Sequence, residues 1–164
     1  MNRGLSNKLA ADFPNTVPAV RPKVEKHMIL DPQWIAGFAS GEGCLMVITR
    51  DSSTSSTGYK VELIFQITQH IRDDALIISL INYFGCGKFR ERGLAGDYLV
   101  YKLSDITEII IPFFDQYPIL GVKSLEYNDF KLVSNMMKNK EHLTKEGVNK
   151  IIKIRLNMNT NRAM

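Results

Sequence analysis

The feature that most constrains the fold is the alternation of apolar and mainly polar residues from Tyr59 to Gln69, with Ile64 as the one apolar residue on the polar side. The alternate apolar residues are Val61, Leu63, Phe65 and Ile67. Successive side chains of a strand point to opposite faces, so one face of this strand is buried and the other is wet. A helix does not give this pattern, because its apolar positions recur every three or four residues. The chain is therefore expected to contain an antiparallel sheet with one covered face.

The segments around this strand predict two hairpins, each preceded by a helix. Asp31 and Pro32 provide an N-cap and a first-turn proline for a helix that ends near Gly43. Strands are predicted at 44–51, 59–69, 86–92 and 97–103, with turns at 52–58 and 93–96. Further helices are predicted at 73–84, from a Ser104 cap to an interruption or end at Pro112, at 122–139 and at 144–157. This order predicts an α+β fold, a four-stranded antiparallel sheet covered by helices.

Composition sets the outer limits of what the chain can be. At 164 residues with 45% hydrophobic residues, it can bury a core without disulfides. Cys44 and Cys86 give neither a disulfide framework nor a CxxC metal pair, which favours an intracellular setting. No apolar stretch approaches the roughly 20 residues of a membrane span, so no membrane partner is expected. Residues 1–30, with prolines spaced from Pro14 to Pro22, predict an extended arm or linker before a domain at 31–160.

The uncovered face of the sheet carries side chains suited to nucleic acid. On the third strand Lys88, Arg90 and Arg92 share one face, and the net charge of +4 allows a polyanionic partner. Paired hairpins add Arg50, Lys60, Gln66 and Thr68, which match base-edge groups as well as phosphates. A merely solvated sheet face accounts for the alternation equally well. On the fourth strand either Tyr98, Val100 and Lys102 or Leu99, Tyr101 and Leu103 face the ligand, since a bulge would exchange the two sets.

The segment from Trp34 to Gly43 has two interior glycines, which cost a helix roughly 1 kcal/mol each relative to alanine. Small residues at helical spacing form a strip along which two helix backbones can approach closely, namely Ala36, Gly37, Ser40 and Gly41. Close packing on the chain's own sheet would explain the strip as well. If the helix packs on a symmetry-related copy, two Glu42 carboxylates meet and suit a hard cation such as Mg²⁺. Taken alone, Glu42 is more simply a surface glutamate.

Together these residues resemble the LAGLIDADG homing endonuclease family. Ile35–Gly43 is similar to its nine-residue motif, with Gly41 and Glu42 in the acidic end. The resemblance covers about residues 31–160 and includes Phe65–His70, Gly85–Gly87, Leu103–Ile106 and the stretch from His142 to Asn159. It implies the αββαββα fold, whose saddle-shaped sheet lies in the major groove of double-stranded DNA and whose motif helices form the dimer interface.

The resemblance also implies roles for individual residues. Glu42 would be the catalytic, metal-binding acid and the Gly41 carbonyl a second metal contact. Mg²⁺ would bridge the attacking water and the leaving oxygen, and Ca²⁺ is expected to support binding without cleavage. Lys102 or Arg92 would supply a catalytic cation, and Glu62 would lie near the centre, where relatives can carry glutamine.

The DNA-facing side chains implied by the resemblance occupy all four strands. They are Cys44, Met46, Ile48, Arg50, Lys60, Glu62, Ile64, Gln66, Thr68, Lys88, Arg90, Arg92 and Tyr101, with the loop Ser52–Thr57 reaching the outer base pairs. The location implied for the protein is an organelle matrix such as the mitochondrial one.

The leading hypothesis is a metal-dependent, site-specific double-strand DNA endonuclease. A single acidic motif implies a homodimer that cuts a long palindromic or pseudo-palindromic target. However, Gly4–Pro14 and the spaced prolines are similar to the linker between the halves of two-motif members, so the chain is alternatively a second half. Two rival hypotheses are a non-cleaving module of the same fold, as an RNA maturase or DNA-binding regulator, and a silent half-domain that needs a different partner chain.

Overall fold

A four-stranded antiparallel sheet lies at the centre of the protein. The computed structural model describes residues 6–17 and 31–158. The strands are β1 (Gly43–Asp51), β2 (Tyr59–His70), β3 (Lys88–Arg92) and β4 (Ala95–Val100), in the order β1-β2-β4-β3. This arrangement confirms the α+β fold and the predicted sheet.

Helices precede and follow each hairpin. In chain order they are α1 (Asn7–Asp12), α2 (Pro32–Glu42), α3 (Asp74–Phe84), α4 (Leu103–Asp105), α5 (Ile111–Gln116), α6 (Lys123–Lys138) and α7 (Lys145–Leu156). α2 begins as predicted, because the Asp31 carboxylate accepts a hydrogen bond from the Gln33 amide at 2.8 Å. α3 ends at Phe84 and is capped, as predicted, by Gly85, whose φ of 65° is the left-handed conformation that glycine adopts most readily.

One face of the sheet forms the core. The alternate residues of β2 from Val61 to Ile67 are at most 8% exposed, and Tyr98 and Val100 of β4 are buried beside them. Helices α3, α5, α6 and α7 cover this face with side chains such as Ile77, Phe114, Phe130 and Ile151. Because Tyr98 and Val100 point into the core, Leu99 and Tyr101 belong to the opposite face. The register of β4 against β2 is continuous, so no bulge exchanges the two sets.

The second hairpin is tighter than the sequence predicted. β3 and β4 are joined by only Gly93 and Leu94, and Arg92 pairs with Ala95. The predicted turn at 93–96 was therefore wrong. Gly93 has a φ of 59°, which suits a two-residue hairpin loop and carries no steric cost for glycine.

The helical stretch after β4 also differs from the prediction. Ser104 is not the N-cap, because α4 already begins at Leu103. Pro112 neither interrupts nor ends the stretch, which continues through a π-helical segment, Ile106–Ile110, into α5. Proline crowds the carbonyl four residues earlier, and the wider turns of a π-helix relieve such crowding.

The predicted arm is not extended throughout. Ser6 caps α1 by accepting a hydrogen bond from the Leu9 amide at 3.2 Å, and the helix ends before Pro14. Pro18 and Pro22 lie outside the described residues, as do positions 159 and 160 of the predicted domain. Among the described helices, none is long and apolar enough to cross a membrane.

Candidate functional site

Glu42 is the last residue of α2, at the point where the helix passes into β1. The residue is exposed. Its side chain forms no hydrogen bond or ion pair with any residue in the described ranges 6–17 and 31–158. The carboxylate therefore remains available to bind a cation.

Lys123, the first residue of α6, brings a positive charge to the same end of the helix. Its Nζ donates to the backbone carbonyls of Gly43 and of Gly41, the latter at 3.4 Å. Carbonyls at a helix C-terminus carry the negative end of the helix dipole, which explains why they hold an ammonium group. Sequence reasoning missed Lys123 because it lies 80 positions from Gly43, and only the packing of α6 on β1 brings them together.

The oxygen atoms at this helix end fit a hard divalent cation in part. The Glu42 carboxylate and the Gly41 carbonyl are donors of the kind that Mg²⁺ prefers, and the carbonyl already accepts from a cationic group. Across the part of the chain that the structure describes, no three His, Cys, Asp or Glu side chains are grouped closely enough to hold a metal ion. A complete set of ligands therefore requires water, phosphate or a carboxylate from a second motif helix.

The two cations proposed from the sequence are engaged with other acidic residues. Lys102 lies beyond the end of β4, and its Nζ is 3.5 Å from a carboxylate oxygen of Asp105. The Nε of Arg92 is 2.7 Å from a carboxylate oxygen of Asp97. Neither contact involves Glu42, and Lys123 is the lysine that the fold brings to the acidic helix end.

The face opposite the core gathers the predicted DNA-facing residues of the strands. The register aligns Cys44, Gln66, Leu99 and Lys88 in one row across the sheet, and Thr68, Asp97 and Arg90 in the next. Along β1 and β2 the further pairs are Met46 with Ile64, Ile48 with Glu62, and Arg50 with Lys60. Desolvation of the thiol raises the pKa of Cys44, although the residue as a whole is exposed. Tyr101 is 56% exposed, and the Lys88 Nζ lies 4.5 Å from its ring centroid.

The resemblance implied that Glu62 lies near the centre, close to the acidic end of α2. In the structure Glu62 lies away from that centre. It pairs with Ile48, five positions beyond Gly43 on β1, which corresponds to about 17 Å of strand. Its carboxylate is 2.8 Å from Lys60 Nζ and 3.8 Å from Arg50. The hydrogen bond from Lys60 lowers the pKa of Glu62. The residue therefore belongs to a charged cluster at the outer end of the sheet.

Asp97 is the second residue that sequence reasoning missed. Its side chain is fully buried although it lies on the open face, because Arg90 and Arg92 cover it. The hydrogen bonds from Arg92, and also those from Thr68 and Arg90, hold the pKa of this carboxyl well below its usual range. The signal in the sequence was the turn itself. A two-residue turn at Gly93 and Leu94 places Arg90 opposite Asp97 across the hairpin, and predicting it would have revealed this pair.

The strip of small residues on α2 is only partly open. An ideal Cβ placed on Gly37 or Gly41 meets no atom within 4 Å, so both positions face open space. Ala36, by contrast, is 2% exposed and is covered by the chain itself. The Ser40 hydroxyl is engaged internally, since it donates to the Ala36 carbonyl at 2.7 Å and accepts from the Leu120 amide at 3.0 Å. Ala36 is therefore not part of the open strip, and Ser40 is only at its margin.

Comparison with known proteins identifies relatives of this domain. Residues 35–134 match the family model described as LAGLIDADG endonuclease. A probable intron-encoded endonuclease 3 of Neurospora crassa is 40% identical over 154 residues, which are 92% of this chain and 29% of that protein. The structure of the I-SmaMI LAGLIDADG homing endonuclease bound to cleaved DNA has a TM-score of 0.94 and 45% identity, covering 99% of this chain and 55% of that one. The I-LtrWI homing endonuclease bound to target DNA has a TM-score of 0.92 and 45% identity, with the same coverages.

The order α2-β1-β2-α3-β3-β4 followed by helices, with an acidic residue at the end of α2, defines a domain of the αββαββα endonuclease class. The family match covers α2 from Ile35 onward, all four strands and most of α6. The chain belongs to the LAGLIDADG endonuclease family. It spans about half the length of the solved relatives. It spans about a third of the Neurospora endonuclease 3 and of a second relative from the same organism, probable intron-encoded endonuclease 2.

Proposed function

We propose that this chain is a site-specific double-strand DNA endonuclease. The observation that carries the proposal is an exposed Glu42 carboxylate at a helix end whose flanking carbonyls, those of Gly41 and Gly43, accept from Lys123. This helix end lies at one end of a sheet face rich in Arg, Lys, Gln and Thr. The sheet face supplies groups that read base edges, and the helix end supplies oxygen atoms for a metal ion. The relatives described as intron-encoded endonucleases and the meganuclease structure bound to cleaved DNA support the DNA target and its cleavage.

The chemistry follows from charge and position. Mg²⁺ held by Glu42 and the Gly41 carbonyl would activate a water molecule and neutralise the leaving oxygen. The Lys123 ammonium group, which contacts the same helix end, offsets the negative charge that develops on the phosphate. Neither residue forms a covalent bond with DNA, so the chain contributes orientation and electrostatic stabilisation.

We further propose that two chains pair through α2, which would provide one such helix end for each DNA strand. Gly37 and Gly41 leave room for a second helix backbone to approach closely. Large apolar side chains are exposed on α2 and on the loop that contacts it, with exposed fractions of 44% for Trp34, 70% for Leu120 and 75% for Val122. A homodimer would bury these residues, bring the two Glu42 carboxylates together and read a palindromic or pseudo-palindromic target.

A second half-domain is the other candidate partner. The solved relatives extend well beyond the part that this chain covers, at 55% of their length. A two-motif arrangement would bury the same face of α2 and would read an asymmetric target. Sedimentation equilibrium of the chain alone distinguishes the two arrangements, because only the homodimer predicts self-association at micromolar concentration.

The activity is tested by selecting targets from a randomised palindromic DNA library with Ca²⁺, where binding is expected without cutting. Selected targets are then incubated with Mg²⁺ and either wild-type protein or Glu42→Gln. We expect wild type to cut both strands with a stagger, and Glu42→Gln to bind the same targets without cutting them. The matched control is Glu108→Gln, which makes the same change on an exposed residue of the π-helical segment.

Each outcome has a separate meaning. Full cutting by Glu42→Gln would contradict the role of Glu42. Tight binding by wild type without any cutting in Mg²⁺ would instead favour a non-cleaving module of the same fold. An organelle matrix as the location of the protein remains a prediction.

A further inference from the structure

Asp97 is a buried carboxylate in the middle of the sheet face that is proposed to contact DNA. It is 0% exposed, whereas the side chains of Arg90 and Arg92 above it are 47% and 51% exposed. Four side chains donate hydrogen bonds to its two oxygens, namely Arg90, Arg92, Thr68 and Gln66. All four were predicted to contact DNA. Because each donates a hydrogen bond to Asp97, this carboxylate determines which of their polar atoms remain available to DNA.

The carboxylate fixes the polarity of the Thr68 and Gln66 side chains. An ionised carboxylate only accepts hydrogen bonds, so the Thr68 hydroxyl, 2.7 Å away, must donate to it. That hydroxyl can then only accept from Gln66, whose Nε2 lies 2.7 Å from it and 3.2 Å from Oδ1 of Asp97. Gln66 therefore contacts this cluster through its amide nitrogen. Its carbonyl Oε1, a pure acceptor, has no hydrogen-bond partner among the described residues and is left to accept from an outside donor.

The same carboxylate fixes the orientation of the two arginines. Arg90 donates through Nε at 3.0 Å and Nη2 at 2.8 Å to Oδ2. Arg92 donates through Nε at 2.7 Å to Oδ2 and through Nη2 at 3.1 Å to Oδ1. Each guanidinium therefore binds Asp97 through the edge formed by Nε and Nη2. The other edge, formed by Nη1 and the second hydrogen of Nη2, remains available to donate hydrogen bonds to DNA. That edge matches the paired acceptors N7 and O6 of guanine.

One carboxylate also partly neutralises two guanidinium groups. Phosphates attract arginines without regard to sequence, so free arginines tend to bind the DNA backbone. Held by Asp97, Arg90 and Arg92 keep a net charge of one between them within this cluster and a fixed direction. Both effects favour base contacts over phosphate contacts.

We propose that Asp97 is a specificity-determining residue that contacts no DNA itself: it directs Arg90 and Arg92 toward guanines and Gln66 toward a base that offers an amino group, adenine or cytosine. The inference rests on the proposed DNA-binding function. It goes further by giving the base class at three positions of each half-site. The proposal also means that the base preferences at all three positions depend on the Asp97 carboxylate.

The test measures binding rather than cleavage, by sequencing DNA retained from a randomised library with Ca²⁺ at fixed salt. Wild type is expected to prefer guanine at two positions, and adenine or cytosine at a third, by about tenfold each. Asp97→Asn is expected to lose most of the guanine preference while total DNA affinity is retained or raised, with a steeper salt dependence. The matched control is Glu146→Gln, which raises the charge by the same amount at an exposed position of α7, where Glu146 pairs with Lys150. It should leave the profile unchanged.

A second variant keeps the proposal falsifiable if Asp97→Asn folds poorly. Thr68→Val removes the hydroxyl that orients Gln66 but leaves both arginines on the carboxylate, so only the third position should lose its preference. Unchanged guanine preference in folded Asp97→Asn, or joint loss at all three positions in Thr68→Val, would overturn the proposal. Absence of any DNA binding by wild type would instead contradict the proposed function on which it rests.

Discussion

Gly37→Ala is expected to change the stability of the monomer and the stability of the proposed dimer in opposite directions. An ideal Cβ at Gly37 meets no atom within 4 Å, so the methyl group fits without displacing any part of the chain. Alanine is about 1 kcal/mol more favourable than glycine in a helix interior. We therefore expect the free energy of unfolding of the monomer to rise by about 1 kcal/mol.

The same methyl group is expected to weaken the proposed dimer. Glycine at a helix crossing lets two backbones approach closely, and added volume in a packed contact costs about 1–3 kcal/mol. The substitution occurs on both chains of a homodimer, so the dissociation constant should rise by at least about tenfold.

The free energy of unfolding and the dissociation constant are measured in separate experiments. Urea unfolding at a concentration where the chain is monomeric gives the free energy of unfolding, and sedimentation equilibrium gives the dissociation constant. Gly147→Ala is the contrasting control, because its Cβ would collide with the Glu141 carbonyl inside the chain and should destabilise the monomer. A Gly37→Ala variant that is less stable as a monomer, or that pairs as tightly as wild type, would contradict the proposed role of Gly37.

Two further predictions concern the role proposed for Lys123 and the pH dependence of stability. Lys123→Met should slow single-turnover cleavage by about 10²-fold while DNA affinity in Ca²⁺ changes little, and an unchanged rate would remove Lys123 from the site. Burial lowers the pKa of His142, whose Nδ1 is buried without a hydrogen-bond partner among the described residues. The unfolded chain therefore binds the proton more readily, so stability is complete above the ordinary pKa of 6.5 and falls as the pH drops below it. Thermal melts at pH 7.5 and 5.5 should show this loss in wild type and a smaller loss in His142→Leu; equal losses would contradict it.

The parts of the fold that were predicted correctly depend on local patterns. The alternation along β2 identifies its buried face because the two sides of that strand meet different surroundings. Asp31 and Pro32 mark the start of α2 through bonds formed within one turn of helix. Neither inference requires knowledge of a distant segment.

The parts that were missed depend on contacts between distant segments or on one turn. Lys123 reaches the end of α2 only because α6 packs on β1, a contact across 80 positions of sequence. Asp97 meets Arg90 only in the register that a two-residue turn creates, and the predicted turn was longer. Pro112 continues a helical stretch because the π-helical turns before it make room, which a propensity argument does not foresee.

The role of Glu42 is measured most directly by single-turnover cleavage of a selected target by wild type and Glu42→Gln, with both proteins saturating the DNA. We predict Mg²⁺-dependent cutting of both strands by wild type and no detectable cutting by Glu42→Gln at equal occupancy. Equal rates for the two proteins would contradict the assignment of Glu42 as the acidic centre of this domain.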